Sequence, residues 1–156
     1  MNCDRIFFVT TIAARRLPIF RRETTAKLLI ETLAQYRDAG KFLLYEFVIM
    51  PDHIHALLTP AEQISLERAM QFIKGRFSYR LKKRGPVWQA SFTNHRIRDI
   101  DDYEHHREYI RMNPVRAHLA PKPEAYPYCS ASGVLQMDAV PHGLKPCIFE
   151  AALTRR

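Results

Sequence analysis

The sequence predicts an α+β fold, an antiparallel sheet with helices packed on one face. Three features point there. An apolar run over 42–50 enters a Pro51-Asp52 turn and leaves on an alternating segment, His53 to Leu58, which reads as a hairpin. Two stretches, one from Glu23 to Arg37 and one opening at Ser65, repeat their apolar residues at helical spacing. A β-branched and aromatic segment, Arg5 to Ile12, precedes the first of them as a strand.

In chain order, the first strand gives way to a basic connection, Arg15-Arg16-Leu17-Pro18. The first helix carries Ala26, Leu29, Ile30, Leu33 and Tyr36 on one stripe, and Gly40 stops it. The hairpin follows, and Pro60 helps to end its second strand. Ser65 is placed to cap a second helix, with Glu67 in the first turn complementing the dipole. Leu66, Ala69, Met70, Ile73, Phe77 and Leu81 form its core stripe, and Gly85-Pro86 terminates it. Val87 to Arg98 is aromatic-rich and contains a strand near His95 to Arg98, with Trp88 and Phe92 as core or edge packing. A third helix starts near Asp101-Asp102 and ends near Asn113, because Pro114 disfavours helical geometry in the residue before it. The order β-α-β-β-α-β-α is that of a ferredoxin-like or RRM-like split βαβ arrangement.

The bulk numbers narrow the class. A chain of 156 residues, 47% hydrophobic and 26% charged, is long enough for one domain with a true core and is not a disordered segment. Residues 1–130 read as that domain; the chain after Val115 is rich in proline, and 131–156 reads as an irregular tail with a short helix near Phe149 to Leu153. Twenty-four Lys and Arg against sixteen Asp and Glu leave +8, a balance that favours an anionic partner, most commonly nucleic acid. Cys3, Cys129 and Cys147 are scattered and odd in number, with no CxxC pair, so neither a zinc knuckle nor a disulfide framework is indicated. The longest apolar stretch is interrupted by Glu46 and too short to span a bilayer, so no membrane partner is expected and the setting is cytoplasmic.

Candidate chemistry lies in three places. Side chains on a strand alternate between faces, so His53, His55 and Leu57 share one face, with neighbours roughly 6.6 Å apart. Two imidazoles at that spacing can converge on one divalent ion, although two polar residues on a solvent face would give the same pattern. In the third helix, Tyr103 and Ile110 share the packed side, while Tyr109 is turned by about 100° and shares its face with His105 and Asn113. A phenol and a carboxamide can therefore be presented together. The second helix and its exit carry six basic residues between 74 and 84 with no acid among them, and Arg76, Arg80, Lys82, Lys83 and Arg84 are the candidate phosphate contacts.

The hairpin with His53-Ile54-His55, the segment from Val87-Trp88-Gln89 to Arg98, and Tyr109-Ile110-Arg111-Met112-Asn113-Pro114-Val115 occur in this order and at these intervals. Together with Tyr126-Pro127-Tyr128-Cys129-Ser130, the pattern resembles the REP-associated tyrosine transposases, a branch of the single-tyrosine HUH transposases of the IS200-like superfamily. The resemblance covers residues 5–130. It implies that His53 and His55 are paired metal ligands, that Tyr109 is the nucleophile, and that Asn113 stands where relatives place a third ligand, often Gln or His. It also implies a hairpin substrate, a repetitive extragenic palindrome with a short adjacent recognition sequence.

Elementary chemistry is consistent with those roles. A phosphodiester repels nucleophiles and its 3′ alkoxide leaves poorly, so an ion on two imidazoles and an amide oxygen, Mg²⁺ or Mn²⁺, would assist as a Lewis acid. A tyrosine attack conserves bond energy in a 5′-phosphotyrosine and leaves a free 3′-OH, so rejoining needs no nucleotide. The partner is then single-stranded or hairpin DNA, and the protein a monomer or homodimer. Two other readings remain open: an RRM-like nucleic-acid-binding module without catalysis, whose aromatic K/R-G-F/Y-G/A-F-V-x-F/Y signature the sequence lacks, and a hydrolase using water.

Overall fold

The structure is a computed structural model, and it describes residues 5–141 together with Leu144. The anticipated order of elements is present: β1 (Phe7–Ile12), α1 (Glu23–Asp38), β2 (Phe42–Met50), β3 (His53–Pro60), α2 (Leu66–Leu81), β4 (Thr93–Arg96) and α3 (Ile100–Arg116). Short 3-10 turns at Ala14–Arg16, Ile19–Arg21, Pro123–Ala125 and Ser130–Ser132 complete it. The helix expected near Phe149 to Leu153 lies outside the described residues. Among the described residues, no helix is long and apolar enough to cross a membrane.

The four strands form one antiparallel sheet in the order β2-β3-β1-β4. The Pro51-Asp52 turn joins β2 to β3 as expected, and β1 is inserted between β3 and the short edge strand β4. An irregularity between Leu44 and Glu46 shifts the β2 register by one, so that Glu46 and Val48 face the same way as Leu57 and His55.

One correction concerns the layers. Helices α1 and α2 do share a face, where Leu29, Leu33, Ile73 and Phe77 pack on Phe47, Ile49, Ile54 and Leu58. Helix α3 instead crosses the opposite face, placing Tyr103 and Ile110 against Val48, Met50 and Leu57. The cause is visible in β2, which is buried along almost its whole length on both sides. Its apolar run does not alternate, and such a strand needs cover on both faces. Each large side chain buried there is worth about 1.5–3 kcal/mol, so leaving the second face open would cost more than docking a helix on it. Trp88 joins the α1/α2 core, and its Nε1 donates to Lys74 O at 3.2 Å.

Three boundaries also move. α3 continues through Pro114 to Arg116: proline already has a helical φ, and burial of its ring offsets the one backbone bond to Ile110 O that it cannot make. Pro114 is buried one turn beyond Ile110, so the ring extends the packed stripe. α2 ends at Leu81 rather than at Gly85, closed by Lys82 in the left-handed region at φ 54°, which leaves Lys82, Lys83 and Arg84 outside the helix. β4 begins at Thr93, two residues earlier than expected, because its register against β1 runs from Thr10↔Thr93 to Phe7↔Arg96. The predicted cap does form: Ser65 Oγ accepts from Arg68 N at 3.0 Å.

Candidate active site

Alternation along β3 puts His53 and His55 on the α3 side of the sheet, while Ile54, Ala56 and Leu58 enter the α1/α2 core. The two imidazole rings lie 4.7 Å apart, centre to centre, at 73°. Each is held at Nδ1. Asp52 Oδ1 lies 2.6 Å from His53 Nδ1, and Thr10 Oγ1 lies 2.7 Å from His55 Nδ1. A carboxylate can only accept, so Asp52 sets His53 as the Nδ1–H tautomer and leaves its Nε2 lone pair available. Burial tends to raise the Asp52 pKa, but the hydrogen bond and charge of His53, with the Arg16 guanidinium at 3.5 Å, bring it below its ordinary value. Burial, then the charge of His53, pushes His55 down to about 3. His55 is therefore neutral near pH 7, which is the form that ligates a metal.

Tyr109 comes from the other side of this space. Its ring lies 5.3 Å from His55 at 72° and 6.0 Å from Phe8 at 82°. It is 40% exposed, open enough for an incoming substrate. The Arg116 guanidinium sits 5.1 Å from the ring centre and donates to Tyr109 O at 3.2 Å. Asn113 follows one helical turn later on the same stripe and is half-buried. Tertiary structure thus joins Tyr109 to the histidine pair.

The two imidazoles, each bound at Nδ1, could offer their other ring nitrogens to a divalent ion with open positions, and Asn113 stands on the same stripe of α3 as Tyr109. A second set was not anticipated. One ligand atom each from His95, Asp102 and His106 lies within 4.8 Å of the others, so this group could also hold a metal. Here the contacts already serve the fold. His95 Nε2 is 2.8 Å from Asp102 Oδ2, Arg98 N donates to the same oxygen at 2.9 Å, and His106 Nδ1 is 2.8 Å from Asp102 O. The two sets are linked by Phe8, whose ring lies 5.2 Å from His55 and 4.7 Å from His106. The i, i+4 spacing of Asp102 and His106 was legible in the sequence. Their meeting with His95, and the roles of Thr10, Asp52 and Phe8, depend on strand pairing and helix docking.

The candidate phosphate contacts divide. Arg76 and Arg80 stand on α2, which covers the opposite face of the sheet from the histidine pair, and the Arg76 guanidinium lies 5.5 Å from the Tyr79 ring. Lys82, Lys83 and Arg84 lie beyond the helix, and Lys83 lines a hollow with Pro18, Arg21 and Arg22.

An α+β sheet with a histidine pair beneath a helix-borne tyrosine matches a known class: residues 5–113 fit the family profile described as "Transposase IS200 like", and the chain belongs to that family. Within it, the chain is similar to a REP-associated tyrosine transposase of Escherichia coli K12, at 28% identity over 111 residues. That match covers 70% of this chain and 66% of the relative, just under two thirds of its length. A Haemophilus influenzae protein provisionally given the same name is 27% identical over 133 residues, covering 72% of this chain and 76% of its own. The fold is shared with a REP-associated tyrosine transposase solved bound to a REP hairpin, at a TM-score of 0.71 and 23% identity over 93% of each chain.

Proposed function

We propose that this chain is a metal-dependent single-strand DNA endonuclease and strand transferase that acts on hairpin or palindromic DNA, with Tyr109 as nucleophile. The observation that carries the reading is the approach of an exposed tyrosine ring to 5.3 Å from a buried, neutral histidine that is paired with a second one. Family membership and a structural relative solved on hairpin DNA support the substrate class.

In this reading, His53 and His55 offer Nε2, and Asn113 its amide oxygen, to one Mg²⁺ or Mn²⁺ ion. Such an ion supplies, when bound, Lewis-acid polarisation of a phosphoryl oxygen. Asp52 and Thr10 orient the two imidazoles. The Tyr109 phenolic oxygen attacks phosphorus and its proton passes to solvent. The bond from phosphorus to O3′ breaks, the departing oxygen takes up a proton, and the DNA is left as a 5′-phosphotyrosine with a free 3′-OH. Reversal with the same or another 3′-OH reseals the strand and restores the phenol.

The test is covalent trapping on hairpin oligonucleotides with single-stranded flanks, with Mn²⁺ and with a chelator. The expected result is a Mn²⁺-dependent protein–DNA adduct that Tyr109→Phe abolishes. Undiminished adduct in Tyr109→Phe would remove Tyr109 from its role. Hairpin binding with no nicking under any metal condition would favour a binding module instead.

A further inference from the structure

Between β1 and α1 the chain places Arg15, Arg16, Arg21 and Arg22 within eight residues, with no acid between β1 and Glu23. This connection is tied to the turn that precedes His53: Ala13 N donates to Asp52 O at 2.9 Å and Phe20 N to Pro51 O at 3.0 Å. Arg15 and Arg16 both adopt left-handed backbone, at φ 56° and 53°, a conformation that non-glycine residues rarely take and that recurs at functional sites. Arg16 is paired to Asp52 at 3.5 Å yet remains well exposed, and Arg15, Arg21 and Arg22 form no ion pair with any described residue.

Two hollows meet here. One, about 450 Å³, has His53, Arg16 and Arg21 in its wall, with Met50, Pro18 and the exposed Leu119 as apolar surface. The other, about 560 Å³, runs from Arg21 and Arg22 to Lys83 past the end of α2. Pro18 and Arg21 belong to both. The result is a path of cations leading from the histidine pair around the sheet end to the basic exit of α2. Arg76 and Arg80, on the far face, stand apart from its beginning.

We propose that this path, Arg16 to Arg21 and Arg22 to Lys83, is the binding track for the single-stranded flank of the DNA, carrying the strand away from the phosphate at His53. The inference rests on the function proposed above and adds which surface holds the substrate. Guanidinium groups suit a phosphate backbone, and an apolar patch beside them suits a base lying flat. Each hollow has the volume of a site for one small ligand, which fits an unpaired strand entering nucleotide by nucleotide. The path is built of cations beside apolar surface, so the track predicts an affinity that rises with flank length.

The test uses the full chain carrying Tyr109→Phe, so that binding is measured without turnover. Fluorescence anisotropy compares hairpins without a flank and with 5′ or 3′ single-stranded flanks of up to about eight nucleotides, within the span such grooves occupy. The expected result is an affinity gain with flank length on one side only. The triple variant Arg21→Ala, Arg22→Ala, Lys83→Ala should lose that gain. Its log affinity against log salt on flanked DNA should flatten by about two, from about 0.7 per single-strand phosphate contact. An equal loss on flanked and unflanked hairpins, or no gain with flank length in the parent, overturns the track. Urea unfolding of the triple variant checks that these exposed substitutions leave the fold intact. Absence of covalent adduct in the trapping assay would sink the catalytic reading, whereas the flank dependence measured here reports the track alone.

Discussion

Thr10 Oγ1 lies 2.7 Å from His55 Nδ1, directly across the β1–β3 pair. A hydroxyl on β1 therefore fixes the orientation of the more deeply buried imidazole, whose ring lies 5.3 Å from that of Tyr109. Thr10→Val keeps the shape and removes the partner. It should cost about 1 kcal/mol in urea unfolding, and weaken Mn²⁺ binding by about 10–100-fold in calorimetry, as lost orienting partners typically do. Unchanged metal affinity would show that packing against Phe8 suffices to hold the ring.

The two candidate metal sets make opposite predictions. His106 Nδ1 is turned toward Asp102, both to its backbone oxygen at 2.8 Å and to its carboxylate at 3.1 Å, so the ring secures the first turns of α3. His53→Ala or His55→Ala should abolish the calorimetric Mn²⁺ signal, and Asn113→Ala should weaken it. His106→Ala should leave the signal in place while lowering the unfolding midpoint. Loss of Mn²⁺ binding only in the His106 variant would move the metal to the β4–α3 junction.

Acid should loosen the fold partly through His55. Its folded pKa, about 3, is depressed below the ordinary 6.5 by burial first and by the charge of His53 second. Between those values the unfolded chain holds a proton on this ring that the native state lacks, so stability falls as the pH drops from about 6.5 toward 3. The slope from one such group is about 1.4 kcal/mol per pH unit. His55→Gln should remove that component from urea midpoints measured between about pH 4.5 and 6. Asp52, Asp102 and Asp138, whose pKa values are lowered, contribute at lower pH, where their native-state advantage is lost as they protonate.

Helix α3 is seated by a carboxylate beneath it. Glu46, on β2, is nearly buried and receives Arg107 Nε at 3.2 Å, Arg111 Nη1 at 3.8 Å and the Ser130 hydroxyl. Both arginines are partly in water, which screens the pairs. Glu46→Ala should still cost about 2 kcal/mol, since it takes the sheet-side carboxylate from two arginines and leaves Arg107 only Glu104 and Arg111 only Glu124, both more exposed. Glu46→Gln, which keeps a partner for Ser130, should cost about half as much. The adduct rate should fall in the same order, because this seat holds Tyr109 near His55.

The segment after Ser132 is fastened by Asp138, which accepts from Arg37 Nε and Nη2 at 3.0 and 2.9 Å and from Leu44 N at 2.8 Å. Asp138→Ala should lower stability by about 2 kcal/mol in urea unfolding and expose this segment to limited proteolysis. Because the pair stands at the end of β2 away from the hairpin turn, the trapping assay should change little.

Much of the site was legible along the chain because it depends on local repeat. A strand alternates every second residue, so His53 and His55 had to share a face. A helix returns after about 3.6 residues, so Tyr109 and Asn113 had to share a stripe. Composition alone indicated a polyanion as partner. The mistaken points arose where global burial outweighed a local rule: α3 crossed the sheet because β2 is apolar on both sides, and Pro114 stayed helical because its ring is buried.

What only tertiary structure decided is the meeting of parts far apart in sequence. Tyr109 comes to His55, Thr10 lies opposite the same ring, His95 joins Asp102, and the arginines after β1 come beside His53. Periodicity is set by the backbone of each element, but which face a helix covers and which residues stand opposite one another is set by the burial of the whole sheet at once.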